Sequence, residues 1–110
     1  MTDETLKRTL LFDFYGELLT GKQREYYDLH YNEDLSLQEI AEQRGVSRQA
    51  VWDIIRRAET TMAKLEKKTS FVERSVLRQN AVKEIAAEVQ KLPDSPEKLR
   101  IVELLAVFDD

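Results

Sequence analysis

The chain has 110 residues, a net charge of −4, 42% hydrophobic and 35% charged side chains; it is long enough for one domain with a modest core, and its balance favours a folded, helix-rich soluble protein over a disordered one. Three glycines and two prolines argue against an all-β chain, and the absence of cysteine excludes disulfides, thiolate zinc sites and cysteine nucleophiles. No apolar run is long enough to span a membrane, and the start MTDETLKRTLL opens acidic without a signal-peptide core, so a cytoplasmic protein without membrane insertion is expected.

Leu6, Leu10, Leu11, Phe14, Tyr15 and Leu18 recur at helical spacing and predict a first helix over roughly 5–19, its aromatic residues in the core. Thr20 to Gln23 fits a capping box that opens a helix over roughly 21–31 carrying Tyr26, Tyr27, Leu29 and His30. His30 is the only histidine and reads as a packed helical residue. Tyr31 to Leu35 is a polar connector.

A helix-turn-helix follows at 36–68. Ser36 with Glu39 is a second capping box, and Leu37, Ile40 and Ala41 make one apolar face. Gly45 stands at the break, where a positive φ costs glycine least, and Val46 is placed to plug the interhelical angle. Ser47 caps a second helix whose buried stripe is Val51, Ile55, Ala58, Met62 and Leu65. Arg48, Gln49, Trp52, Asp53 and Arg56 are left facing outward. In DNA-binding proteins of this type the second helix enters the major groove with its N-terminal residues at the base edges. Arg pairs there with guanine and Gln with adenine. A helical hairpin with a merely solvated outer face would have the same pattern.

The second motif helix runs past Leu65 into EKK. Thr69 and Ser70, with Glu73, read as a fresh N-cap, with a kinked continuation as the alternative. Val72, Val76, Leu77, Ala81, Ile85, Val89 and Leu92 then mark a long amphipathic helix. KLPDS ends it, Ser95 and Pro96 start a last helix, and Leu99, Val102, Leu104, Leu105 and Phe108 make that helix strongly apolar. The expected fold is all-α: a helical domain over 1–69 containing the motif, and a C-terminal helical arm over 70–110. The arm carries more apolar surface than a helix lying on a small bundle needs. It docks on its own domain or on a partner; a homodimer through the C-terminal helices is the favoured outcome.

Charge is unevenly distributed. Residues 1–46 carry −5, residues 47–68 carry +3 and residues 69–110 carry −2. The second motif helix is the one net-positive segment, so the acidic flanks would repel a duplex elsewhere. No glycine-rich phosphate loop, no serine–histidine–acid arrangement and no metal-ligand spacing is present. No catalytic residue, cofactor or metal is therefore expected.

Residues 19–68 resemble region 4 of the bacterial sigma factors, through the Leu-Thr-x-x-Gln entry at Leu19–Gln23, the core LSLQEIAEQRGVSRQAV at Leu35–Val51 and the continuation RRAETTMAKL. The resemblance implies base contacts from Arg48 and Gln49 and backbone-phosphate contacts from Ser47, Arg56 and Arg57. Trp52 beside them is a further candidate base contact and Lys64 a further backbone contact. Over almost its whole length the chain is similar to the YlxM family of short bacterial helix-turn-helix proteins, on the stretch Leu11–Glu59 and its Phe14–Tyr15 pair. That resemblance implies a gene beside those of the signal recognition particle GTPases and a regulatory role in that pathway. The expected function is a sequence-specific DNA-binding regulator. The alternative is a protein adaptor for the signal recognition particle GTPase or its receptor, motivated by the acidic flanks and the apolar arm. Asp53 and Trp52 both sit on the reading face. A carboxylate there must accept from cytosine N4 or meet phosphate repulsion, and the indole can stack with Arg56 or anchor a protein contact.

Overall fold

Capping side chains decide where the helices begin. In the computed structural model, which describes residues 3–108, Thr20 Oγ1 accepts the Gln23 N–H while the Gln23 side chain accepts the Thr20 N–H. Ser36 and Glu39 make the same reciprocal pair. The Ser36 N–H bonded to Glu39 holds that carboxyl below the usual carboxylate range. Ser47 Oγ accepts from the Ala50 N–H, and Ser95 Oγ from the Lys98 N–H with Pro96 in the first turn. Each bond satisfies an N–H that the helix itself leaves unpaired.

Among the described residues the chain is all-α: α1 Asp3–Tyr15, a 3-10 turn Gly16–Leu18, α2 Gly21–Tyr31, α3 Leu37–Arg44, α4 Arg48–Thr69, α5 Phe71–Gln90, α6 Pro96–Leu105 and a 3-10 turn Ala106–Phe108. It divides into two compact units, the first running to Val72 and the second starting at Glu73.

The first helix ends earlier than its apolar spacing predicts. Leu19 and Thr20 are extended, as an N-cap for α2 requires, so the chain leaves α1 at Tyr15 and tightens through the 3-10 turn. A Cβ on Gly16 would stand 3.3 Å from the Phe12 ring, so the ring packs on the glycine itself. The tighter turn rotates Leu18 off the apolar stripe. Leu18 is 66% exposed and Phe14 44% exposed, so neither is the core residue expected. Phe12, absent from the predicted stripe, stacks on Tyr27 at 5.2 Å between ring centroids. Tyr27 lies 4.7 Å from Tyr31, and the Arg8 guanidinium lies 4.3 Å from the Tyr31 ring centroid. Burial pushes the Tyr27 hydroxyl well above its ordinary pKa.

The core of this unit is built on α4. Val51, Ile55, Ala58 and Met62 are fully or almost fully buried, spaced at four, three and four along one face. Burying a side chain of the Val or Ile kind stabilises by about 1.5–3 kcal/mol. Leu65, the last member of the predicted stripe, is only partly covered. Tyr15, Tyr26, Tyr27, Ile40 and Ala41 close the core from α1, α2 and α3, with Leu19 from the connector before α2. The His30 Nδ1–H donates to the Leu35 carbonyl at 2.7 Å, which ties the connector down.

The junction after α4 splits the predicted cap between its two residues. Ser70 takes a left-handed conformation, φ 55°, and closes α4 as its C-cap. Thr69, the other residue of the predicted pair, does accept the first N–H of α5, from Phe71 at 3.2 Å, while the Val72 N–H goes to Glu66 Oε1 at 3.0 Å. Glu66 also accepts from the Tyr15 hydroxyl at 2.7 Å, and that hydroxyl meets Thr69 Oγ1 as well. Burial raises the Tyr15 pKa. Val72 is buried, so the first turn of α5 belongs to the helix-turn-helix unit.

In the second unit, Val89 is buried and Val82, Ala86, Ile101 and Leu105 are partly covered. Val82 and Ala86 of α5 and Val102 and Leu105 of α6 border a hollow of about 210 Å³. Lys98 Nζ donates to the Leu92 carbonyl at 3.0 Å and to Asp94 at 3.1 Å, closing the connector. Several apolar side chains predicted for the helix stripes remain exposed: Leu77, Ile85, Leu92, Leu99, Leu104 and Phe108.

Candidate nucleic-acid interface

The reading face follows from the turn. Gly45 has φ 68° and ψ 33°, and its N–H bonds to the Ala41 carbonyl. Val46 follows with its N–H on the same carbonyl. Only glycine takes this left-handed conformation without steric penalty. The chain then extends through Ser47, which starts α4 at Arg48. With Val51, Ile55, Ala58 and Met62 turned inward, helical geometry places Gln49, Asp53, Arg56, Arg57 and Lys64 on the outer side; these and Arg48, in the first turn, are all exposed. Ser47 is exposed as well, its hydroxyl held by the Ala50 N–H. Trp52 is half-buried. Val46, expected as a plug between the helices, is 37% exposed.

The charges of α4 are sorted by face. The helix has three acidic residues, Asp53, Glu59 and Glu66. Glu59 accepts from the Tyr31 hydroxyl at 2.6 Å and Glu66 from the Tyr15 hydroxyl, so both carboxylates are tied to the inner side. The exposed side chains of the helix include Arg48, Arg56, Arg57, Lys64, Lys67 and Lys68 against Asp53 as the one fully exposed carboxylate. Arg48, Arg57 and Lys64 have no carboxylate partner among the described residues. On α3, by contrast, Arg44 is paired with Glu25 of α2.

Asp53 is hydrogen-bonded by its neighbour. Gln49 Nε2 donates to Asp53 Oδ1 at 2.9 Å, one turn along the helix. That bond orients the Gln49 amide and leaves its carbonyl oxygen and second N–H free. The Arg56 guanidinium lies 6.0 Å from the Trp52 ring centroid, at the outer reach of a cation–π contact. Arg48, Gln49 and Trp52 share an open hollow of about 580 Å³ with Leu37 of α3.

Sequence reasoning missed three parts of this face. The Gln49–Asp53 bond had a local signal, the four-residue spacing of a hydrogen-bonding pair. Leu37 was assigned only to the apolar face of α3. The inward turn of Glu59 and Glu66 had no local signal, because their tyrosine partners lie 28 and 51 residues away.

Residues 2–102 match the UPF0122 family, helix-turn-helix proteins described as YlxM / p13 like. The chain belongs to that family. A UPF0122 protein of Halalkalibacterium halodurans is 43% identical over 109 residues, covering 99% of this chain and all of the relative. One from a Thermoanaerobacter species is 40% identical over 96% of this chain and 93% of its own. One from Shouchella clausii is 47% identical over 77% of this chain and 78% of its own. The UPF0122 match spans the motif and reaches into α6. Among the described residues no group of His, Asp and Glu side chains is arranged to hold a metal ion, and no helix is long and apolar enough to cross a membrane.

Proposed function

We propose that this UPF0122 protein is a non-enzymatic regulator that binds duplex DNA, with the N-terminal turns of α4 in the major groove. The observation that carries this reading is the distribution of charge on α4: six exposed basic side chains against one exposed carboxylate, with the other two carboxylates partly covered and bonded to tyrosines. Arg48, Gln49 and Trp52 take the base edges. Ser47, Arg56, Arg57 and Lys64 take the phosphates. Cations that need not leave a protein partner can be spent on counterion release from the duplex.

The test is selection from random duplexes at moderate salt, followed by binding of variants to the enriched site. Arg48→Ala and Gln49→Ala weaken binding to the selected site far more than to random DNA, and Arg57→Ala weakens both about equally. A selection that enriches no sequence overturns the reading.

A second reading concerns the second unit. Leu99 at 62%, Leu104 at 50% and Phe108 at 58% exposure favour a protein partner on α6 and the 3-10 turn after it, since solvent exposure of this much large apolar side chain is costly to keep. A second copy of the chain fits first: a homodimer through the C-terminal helices carries two copies of α4, and dimeric helix-turn-helix proteins read half-sites about one DNA turn apart. The signal recognition particle GTPase or its receptor is the alternative partner implied by the family resemblance. Pull-down from lysate, with and without nuclease, separates DNA-mediated from direct protein association.

A further inference from the structure

The hollow between α3 and α4 combines two kinds of wall. Leu37 and Trp52 are apolar, while Arg48 and Gln49 are hydrogen-bonding, and the four enclose about 580 Å³ open to solvent. The indole is half-buried and the Gln49 amide is already oriented by Asp53. An apolar wall beside base-reading groups has one natural occupant in a major groove. The 5-methyl of thymine is the only apolar group that the unmodified base edges display there; guanine, adenine and cytosine offer acceptors and donors alone.

We propose that Trp52 and Leu37 seat the 5-methyl of a thymine next to the base pairs contacted by Arg48 and Gln49. They thereby make the site specific for thymine over cytosine at that position. The inference rests on the DNA-binding reading of α4 and adds to it a residue pair and a chemical group. Withdrawing one methyl from water onto an aromatic and aliphatic wall is worth about one buried CH₂, which corresponds to about a four-fold change in affinity. A 5-methylcytosine presents the same methyl and would recover part of the discrimination against cytosine.

The experiment uses the full chain and the duplex enriched by selection, with each thymine replaced singly by deoxyuridine. The replacement removes the methyl and keeps every hydrogen-bonding group. The expected result is one thymine per half-site whose replacement lowers wild-type affinity about four-fold. That penalty disappears in Trp52→Ala and shrinks in Leu37→Ala, while it persists in Arg57→Ala. Circular dichroism and urea melts confirm that the variants compared are folded, and Leu37→Met provides a second reading that keeps an apolar wall and should keep the penalty. An enriched site at which no thymine methyl matters overturns this inference and leaves the DNA-binding reading standing. So does a penalty that survives intact in both Trp52→Ala and Leu37→Ala. A selection without any enriched site overturns both together.

Discussion

Gln49 and Asp53 are joined on the outer side of α4, amide to carboxylate, at 2.9 Å. The bond gives the one outward carboxylate of this helix a role that its charge alone would not suggest. It costs some attraction for phosphate, and in exchange it restricts the rotamers of the side chain placed to read adenine. Asp53→Ala and Asp53→Asn separate the two effects. Either change removes a negative charge and should raise affinity for random duplex about three-fold at low salt. Asp53→Asn keeps an acceptor for Gln49 and should keep the preference for the selected site. Asp53→Ala frees Gln49 and should reduce that preference. Anisotropy titrations on selected and random duplexes measure both, and equal preference in the two variants would sink the orienting role.

The two left-handed residues at helix ends make opposite predictions. Gly45 has φ 68°, and a Cβ there would meet nothing within 4 Å. Gly45→Ala should therefore destabilise through backbone strain alone, by about 1–2 kcal/mol. Gly45→Asn should cost less, because Asn tolerates this region. Ser70 already bears that strain at φ 55°, so Ser70→Gly should stabilise by up to about 1 kcal/mol. Urea midpoints at unchanged slope measure all three. A Gly45→Ala protein as stable as wild type would show that the turn adapts.

The contrast between what was readable in the sequence and what was not follows from range. Thr20–Gln23, Ser36–Glu39, Ser47 and Ser95 were legible as caps because the partners lie three residues apart, and the inner stripe of α4 was legible because helical periodicity repeats every turn. The end of α1 was not. Its apolar residues continue to Leu18, but the need for an extended Thr20 and the seat of Phe12 on Gly16 terminate the helix at Tyr15. The Thr69–Ser70 cap was legible only in part for a related reason: Thr69 accepts the Phe71 N–H as its local position suggests, but Ser70 closes α4 and Glu66, a turn back on the preceding helix, accepts from Val72. On the reading face, the outward set was legible as positions. The division of three carboxylates into one outward and two inward was not, since it depends on Tyr15 and Tyr31.

Tyr31 links that division to pH. Its hydroxyl donates to Glu59, and burial first, then this hydrogen bond and the Glu59 charge, push its pKa from 10.0 up to about 12, with Arg8 opposing. The neutral phenol is the form favoured by folding. The contribution to stability is therefore complete below the ordinary value of 10, and it is lost as pH rises through about 12. Denaturation midpoints should fall across that window, and Tyr31→Phe should remove part of the fall. Glu59→Gln keeps an acceptor without the charge and should let Tyr31 ionise at lower pH, read as tyrosinate absorbance. An unchanged titration in Glu59→Gln would show that burial acts alone. The same variant adds no charge to the outer side, so binding to random duplex should change little.

Leu104 tests the dimer without touching the reading helix. It is 50% exposed on α6, where Leu99 is also open, as is Phe108 in the 3-10 turn that follows, so a glutamate there finds solvent and should leave the fold intact. If a second copy covers this surface, Leu104→Glu forces a carboxylate into an apolar contact, where an unpaired charge costs several kcal/mol. Light scattering should then give a dimer for the wild type and a monomer for the variant at the same concentration. Binding should part company in the same way. Affinity for a duplex with two half-sites falls steeply because the second contact is no longer intramolecular, whereas affinity for a single half-site is kept, since Arg48, Gln49 and Trp52 are unchanged. A wild type that is monomeric at every concentration overturns the dimer and turns the exposed residues of α6 toward a different protein partner.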